Sequence, residues 1–182
     1  MAQAYVLLDR DGVINIDSDD YVKSADEWVP IPQSLEAIAL FYKHGYKVVV
    51  ITNQSGLGRG LYDETTLDDM HNKMIRLARE QGGEINSIYY CPHIPDDNCE
   101  CRKPKPGMLN QFAKEKNRAL ADIFFVGDKL ADIQAAETAG AKPILVKTGK
   151  GKTTLINNPG INYPIFENLY DAAKYIVSED KF

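Results

Sequence analysis

The stretch Tyr5-Val6-Leu7-Leu8-Asp9-Arg10-Asp11-Gly12 decides the fold. Its short apolar run reads as a strand buried on both faces. Two carboxylates follow, two positions apart, and Gly12 lets the chain turn. In extended backbone, residues two apart leave on the same side, so Asp9 and Asp11 point together. Such a pair repels itself unless a cation or a proton sits between the two groups. An acidic turn after a buried strand explains the pair, taken alone, equally well.

Outward from this stretch, residues 5–8, 47–51, 88–90, 123–126 and 142–146 read as strands. Helical periodicity fills the gaps. Residues 34–42 carry Leu35, Ile38, Ala39 and Tyr42 on one face, with Ser34 as N-cap. Residues 64–81 turn Leu67, Met70, Met74, Leu77 and Ala78 inward and stop at Gly82-Gly83. Residues 107–117, 130–139 and 168–177 are three further helices. This alternation predicts an α/β fold, a doubly wound parallel sheet with right-handed crossovers. With no linker, repeat or inserted unit, residues 1–182 read as a single domain without a large cap.

In such sheets ligands bind beyond the carboxyl ends of the strands. The chemical residues stand there. Asp9 follows the first strand, Thr52-Asn53-Gln54 the second, Cys91 the third and Gly127-Asp128 the fourth. Asp128 and Asp132 add carboxylates at a second strand end, and oxygen ligands of this kind suit Mg²⁺. Negative charge at a helix start is the plainer explanation of that second pair.

The three cysteines fall in Cys91-Pro92-His93 and Cys99-Glu100-Cys101. Three thiolates and an imidazole suit tetrahedral Zn²⁺, with no position left open for catalysis. Free thiols or a redox pair are the alternatives. The surrounding loop is polar and has no core of its own, which a metal would supply. Arg102 and Lys103 follow directly, and Pro104 and Pro106 stiffen the exit. A structural zinc would therefore set the register of both cations.

A formal net charge of -5 argues against nucleic acid as the main partner, though it leaves room for a small phosphorylated substrate. No apolar run approaches the roughly 20 residues of a membrane span, and the N-terminus lacks the features of a signal peptide. A cytoplasmic monomer is expected.

The motifs together resemble the haloacid dehalogenase (HAD) superfamily of aspartate-based phosphohydrolases. Leu8-Asp9-Arg10-Asp11-Gly12-Val13 resembles its first motif, Ile51-Thr52-Asn53-Gln54 its second, Lys103 its third and Gly127-Asp128-Lys129-Leu130-Ala131-Asp132 its fourth. The resemblance implies Asp9 as nucleophile through an aspartyl-phosphate, and Asp11 as general acid and base. It also implies Mg²⁺ on Asp9, Asp128 and the backbone carbonyl of Asp11, with Thr52 and Lys103 on the phosphoryl oxygens. Asp132 is expected to support Lys129 or the metal's waters.

Within the superfamily, Thr52-Asn53-Gln54-Ser55-Gly56, Tyr89-Tyr90-Cys91-Pro92-His93 and Cys101-Arg102-Lys103-Pro104-Lys105-Pro106-Gly107-Met108 are most similar to the phosphatases of heptose bisphosphates. That family serves activated-heptose synthesis for surface glycans. Histidinol-phosphate phosphatases are the alternative, and a non-catalytic phosphosugar-binding module is the contrasting class. The resemblance places Arg10, Asn53, Gln54 and Lys129 among substrate-binding residues. Arg102 is the candidate for a second phosphate, with Arg59 behind it, and Asp17, Tyr21 and Ser55 are candidates for sugar contacts. His44 and His71 read as surface or packing residues, Trp28 as packing under the approach to the site, and residues 147–152 as a mobile surface loop.

Overall fold

The structure is a computed structural model and describes residues 3–179. One parallel sheet has the order β3-β2-β1-β4-β5-β6, built from β1 (Tyr5–Leu8), β2 (Lys47–Asn53), β3 (Ile85–Cys91), β4 (Phe124–Gly127), β5 (Lys142–Val146) and β6 (Ile165–Phe166). β1 lies centrally, with Leu8 opposite Val50 on one side and Val126 on the other. The chain winds from β1 toward β3, then crosses to β4 and winds the other way. That reversal leaves a crevice between the ends of β1 and β4, where an open α/β sheet takes its ligand.

Alternate strand residues feed two cores. Val6, Leu8, Val48 and Val50 face α1 (Ser34–Lys43), α3 (Glu64–Glu80) and α7 (Leu169–Glu179), meeting Phe41, Met70, Met74 and Ile176. Leu7, Val49, Ile51 and Phe125 face α4 (Gly107–Lys116) and α5 (Leu130–Ala139), meeting Met108, Phe112 and Ala136. Both strand faces are covered, which is why these segments read as unbroken apolar runs. Trp28 is fully buried in the first core.

Several details differ from the sequence expectation. Ser34 opens α1 but does not cap it; its hydroxyl donates to Ile14 O at 2.6 Å, and Gln33 is the cap residue at φ 66°. Residues 147–152 are not all loop: 147–150 form a turn, and Gly151 and Lys152 are helical. The turn leads into the short helix α6 (Gly151–Asn157), where Thr154 Oγ1 donates to Asp128 O at 2.9 Å. A Cβ at position 151 would lie 1.8 Å from Val146 O, so glycine is required there. The short helix α2 (Ser55–Gly58) and the two-residue strand β6 are too brief to show periodicity. No helix among the described residues is long and apolar enough to cross a membrane.

Candidate active site

Asp9 leaves the end of β1 almost wholly buried. Its Oδ1 accepts from the backbone N–H of Arg10 at 2.8 Å and lies 2.9 Å from Lys103 Nζ. Burial pushes the Asp9 carboxyl up to about 6, with Asp132 adding to the effect and Lys103 opposing it. Lys103 arrives from the loop after β3. Its ammonium contacts Asp132 Oδ1 at 2.7 Å and donates to Ile51 O at 2.9 Å. Burial alone would discharge this lysine; Asp132 and Asp9 outweigh burial and hold it protonated.

Asp128 follows β4 and is fully buried. Its Oδ2 accepts from the backbone N–H of Lys150 at 2.8 Å, while Oδ1 has no hydrogen-bond partner and sees Lys129 Nζ only at 3.8 Å. Burial drives its carboxyl up to about 8. Oxygens of Asp9, Asp128 and Asp132 come within 4.8 Å of one another. An unpartnered buried oxygen and three crowded carboxylates, two of them on one buried ammonium, fit a divalent, oxygen-loving cation. Gly12 adjoins this cluster at φ +86°, and a Cβ there would fall 2.1 Å from Asp128 Oδ2.

Asp132 supports Lys129 at its backbone N–H and makes its ion pair with Lys103 instead. One oxygen holds Lys103, and the other accepts from the backbone N–H groups of Asp128 and Lys129, each at 3.1 Å. It is a bridge between the third and fourth motifs.

Asp11 lies beside the cluster. Its Oδ1 accepts from Arg10 Nη2 at 2.8 Å and Asn15 Nδ2 at 2.8 Å, and Oδ2 accepts from Gln54 Nε2 at 2.9 Å. Burial would raise its pKa, but the Arg10 guanidinium and the donors from Asn15 and Gln54 win and hold it low. Gln54 Nε2 also donates to Thr52 Oγ1 at 2.9 Å, tying the second motif to the first. Asn53 grips the backbone of Lys103 in both directions, accepting from its N–H and donating to its carbonyl, each at 3.1 Å.

Above these groups opens a cleft of about 290 Å³ lined by Asp11, Asp17, Tyr21, Asn53, Gln54, Ser55, Arg102 and Lys129 among others. Lys129 Nζ pairs with Asp17 Oδ2 at 3.1 Å; the carboxylates of Asp9, Asp128 and Asp17 hold it protonated against the effect of burial. Two predicted contacts lie elsewhere. Arg10 is fully buried, turned toward Asp11 and His71. Arg59 is exposed and stacks 5.9 Å over the Tyr21 ring.

The second cluster joins Cys91, at the end of β3, to His93, Cys99 and Cys101. Cys91 Sγ lies 3.6 Å from His93 Nδ1, 3.6 Å from Cys99 Sγ and 3.0 Å from Cys101 Sγ. Cys101 Sγ is 3.3 Å from His93 Nδ1 and 3.5 Å from Cys99 Sγ. Tetrahedral zinc with its usual bond lengths gives edges of about 3.3–3.8 Å. The donor set fits that ion, and four of these five edges fall in the range; the Cys91–Cys101 edge is shorter. Arg102 Nη1 reaches back to His93 O at 3.3 Å, so the loop supports the cation next to Lys103.

Residues 100–172 match the HAD-hydrolase-like family model. A D-glycero-β-D-manno-heptose-1,7-bisphosphate 7-phosphatase of Pseudomonas aeruginosa is 55% identical over 155 residues, covering 85% of this chain and 87% of its own. The chain belongs to this phosphatase family. A Neisseria meningitidis phosphatase of the same name is 49% identical over 179 residues, covering 96% of this chain and 95% of its own. The crystal structure of D,D-heptose 1,7-bisphosphate phosphatase from Bordetella bronchiseptica, complexed with magnesium and phosphate, superposes with a TM-score of 0.94 at 47% identity. It covers 97% of this chain and 99% of that one.

Four residues of this heptose-bisphosphate phosphatase fold reach the site without any sequence signal. Asn15 and Tyr62 bond to Asp11 and Gln54. His71 emerges from the middle of α3 to meet Arg10. Lys150 comes from the loop before α6 to line the cleft. Their types are ordinary and their spacing follows no motif; only the packing of their elements brings them in.

Proposed function

We propose that this chain hydrolyses the 7-phosphate of D-glycero-β-D-manno-heptose 1,7-bisphosphate, with Asp9 as nucleophile. The observation that carries the reading is the Asp9–Lys103–Asp132 ion cluster at the sheet's switch point, beside the unpartnered oxygen of Asp128, in a chain 55% identical to a phosphatase of that name.

An Asp9 oxygen attacks phosphorus, the bond to the sugar oxygen breaks, and Asp11 gives that oxygen its proton. Arg10 holds Asp11 ionised in the free site. An arriving phosphate brings negative charge beside Asp11 and raises its affinity for the proton it must deliver. Asp11 then takes a proton from water, which attacks the phosphoryl group on Asp9 and frees phosphate. Lys103 and the Thr52 hydroxyl face the non-bridging oxygens, offsetting the repulsion between a carboxylate and a phosphate.

Asp9, Asp128 and the backbone carbonyl of Asp11 would hold Mg²⁺, which supplies positive charge to the phosphoryl oxygens when bound. Cys91, His93, Cys99 and Cys101 would hold a structural Zn²⁺. Arg102 and Lys129 take the second phosphate at the rim, and Asp17, Tyr21 and Ser55 meet the sugar. The molecule acts as a monomer in the cytoplasm.

Phosphate release with Mg²⁺ from the two anomers of heptose 1,7-bisphosphate and from histidinol phosphate, measured side by side, tests the reading. Preference for the β anomer is expected. Preference for histidinol phosphate overturns the substrate, and binding without release from any of them overturns the enzyme.

A further inference from the structure

Asp11 has two proton tasks, and both of its oxygens are gripped. Arg10 donates to Oδ1 through Nη2 at 2.8 Å and Nε at 3.1 Å, and Gln54 donates to Oδ2 at 2.9 Å. Neither grip supports itself. A primary amide can present its oxygen or its nitrogen to a neighbour, and only a further partner decides which. Tyr62 Oη donates to Gln54 Oε1 at 2.7 Å, which turns the NH₂ group toward Asp11 and Thr52. The Tyr62 ring packs against Gly56, where a Cβ would fall 2.4 Å from the ring.

Arg10 is supported in the same way. Its guanidinium is fully buried, so its remaining N–H groups need acceptors. Nη1 lies 3.2 Å from His71 Nε2. The His71 ring is buried on α3 and flanked by the Tyr90 ring at 6.2 Å. A neutral ring accepts there, and burial beside the guanidinium keeps it neutral, its pKa pushed down to about 3.

We infer that Tyr62 and His71 are positioning residues for proton transfer, fixing the Asp11 carboxylate through Gln54 and Arg10. The inference rests on the proposed role of Asp11. A displaced acid harms esters whose leaving group needs a proton. It spares an aryl ester, whose phenolate leaves unaided. The reporting quantity is therefore the ratio of kcat/KM for heptose 1,7-bisphosphate to that for 4-nitrophenyl phosphate.

Tyr62→Phe keeps the ring, and His71→Leu keeps the bulk. General acid–base catalysis supplies about 10²–10⁴-fold, so partial misplacement is expected to lower the ratio about tenfold in each variant. His71→Gln, which retains a neutral acceptor, is expected to restore most of it. Circular dichroism and thermal melts check folding of each variant.

Equal losses on both esters, or no loss on either, would overturn the positioning role. A wild type that cleaves the aryl ester but not the heptose bisphosphate overturns the substrate reading alone. The ratio is then taken with an alkyl phosphate the wild type does cleave, and the same outcomes decide. A wild type inactive on every ester overturns both.

Discussion

Lys103 Nζ stands 2.7 Å from Asp132 Oδ1, inside the protein and at the foot of the cleft. The aspartate after β4 thus aims the cation that faces Asp9. Asp132→Asn removes the charge and lets Lys103 lean toward Asp9. Lost aim of an electrostatic stabiliser costs about 10²-fold in kcat. Lys103→Met is expected to cost more, and the double variant little beyond that, because residues acting as one unit are not additive. Steady-state kinetics on the four proteins checks this.

Gly12→Ala meets two obstacles at once. The backbone sits at φ +86°, and the new methyl would lie 2.1 Å from Asp128 Oδ2. Backbone strain of this kind costs about 1–3 kcal/mol. Displacement of Asp128 is expected to weaken Mg²⁺ binding as well. Urea denaturation and a Mg²⁺ titration of activity measure the two effects; a variant unchanged in both sinks the account of the glycine.

The thiolate–imidazole cluster predicts about one zinc per chain, measurable by elemental analysis. Chelation, or Cys99→Ser, is expected to lower the melting temperature and kcat together, because Arg102 and Lys103 leave the loop directly after Cys101. Stripped protein that stays folded and keeps full activity would show that the loop does not place Lys103.

His71 gives stability a pH dependence with a definite sign. Its folded pKa is pushed down to about 3 by burial and by Arg10, with Asp11 opposing. The unfolded chain takes up the proton near the ordinary value of 6.5. Below that point the unfolded state binds more protons, so stability is fully present above 6.5 and is lost as pH falls toward 3. Between pH 7 and pH 5 the loss is of the order of 1–2 kcal/mol. Denaturation at both pH values checks it, and His71→Gln, which does not titrate, is expected to flatten this part of the slope.

Much of the molecule is legible in the chain. Continuous apolar runs located five of the six strands, because a strand covered on both faces has no polar side to interrupt it. β3 begins earlier than its apolar core suggests, since Asn86 and Ser87 lie on a sheet edge that tolerates them. Asp9, the Asp128–Asp132 pair and the Cys/His cluster are legible for a different reason. Each group sits next to a strand end or within a short ligand spacing, so its chemistry is written locally.

The paired carboxylates at the end of β1 and their order among the four motifs were thus set by sequence alone. The tertiary structure decided who holds them. Arg10 is read from its motif as a substrate contact, yet it turns inward to Asp11, because α3 places His71 behind it. Asp132 serves Lys103, because the loop after β3 carries the lysine past the ends of β2 and β1 to the start of α5. Tyr62, Asn15 and Lys150 reach the site only when distant elements pack. A strand end fixes the direction of its own side chains, whereas the partner that meets each one is fixed by packing between segments far apart in the chain.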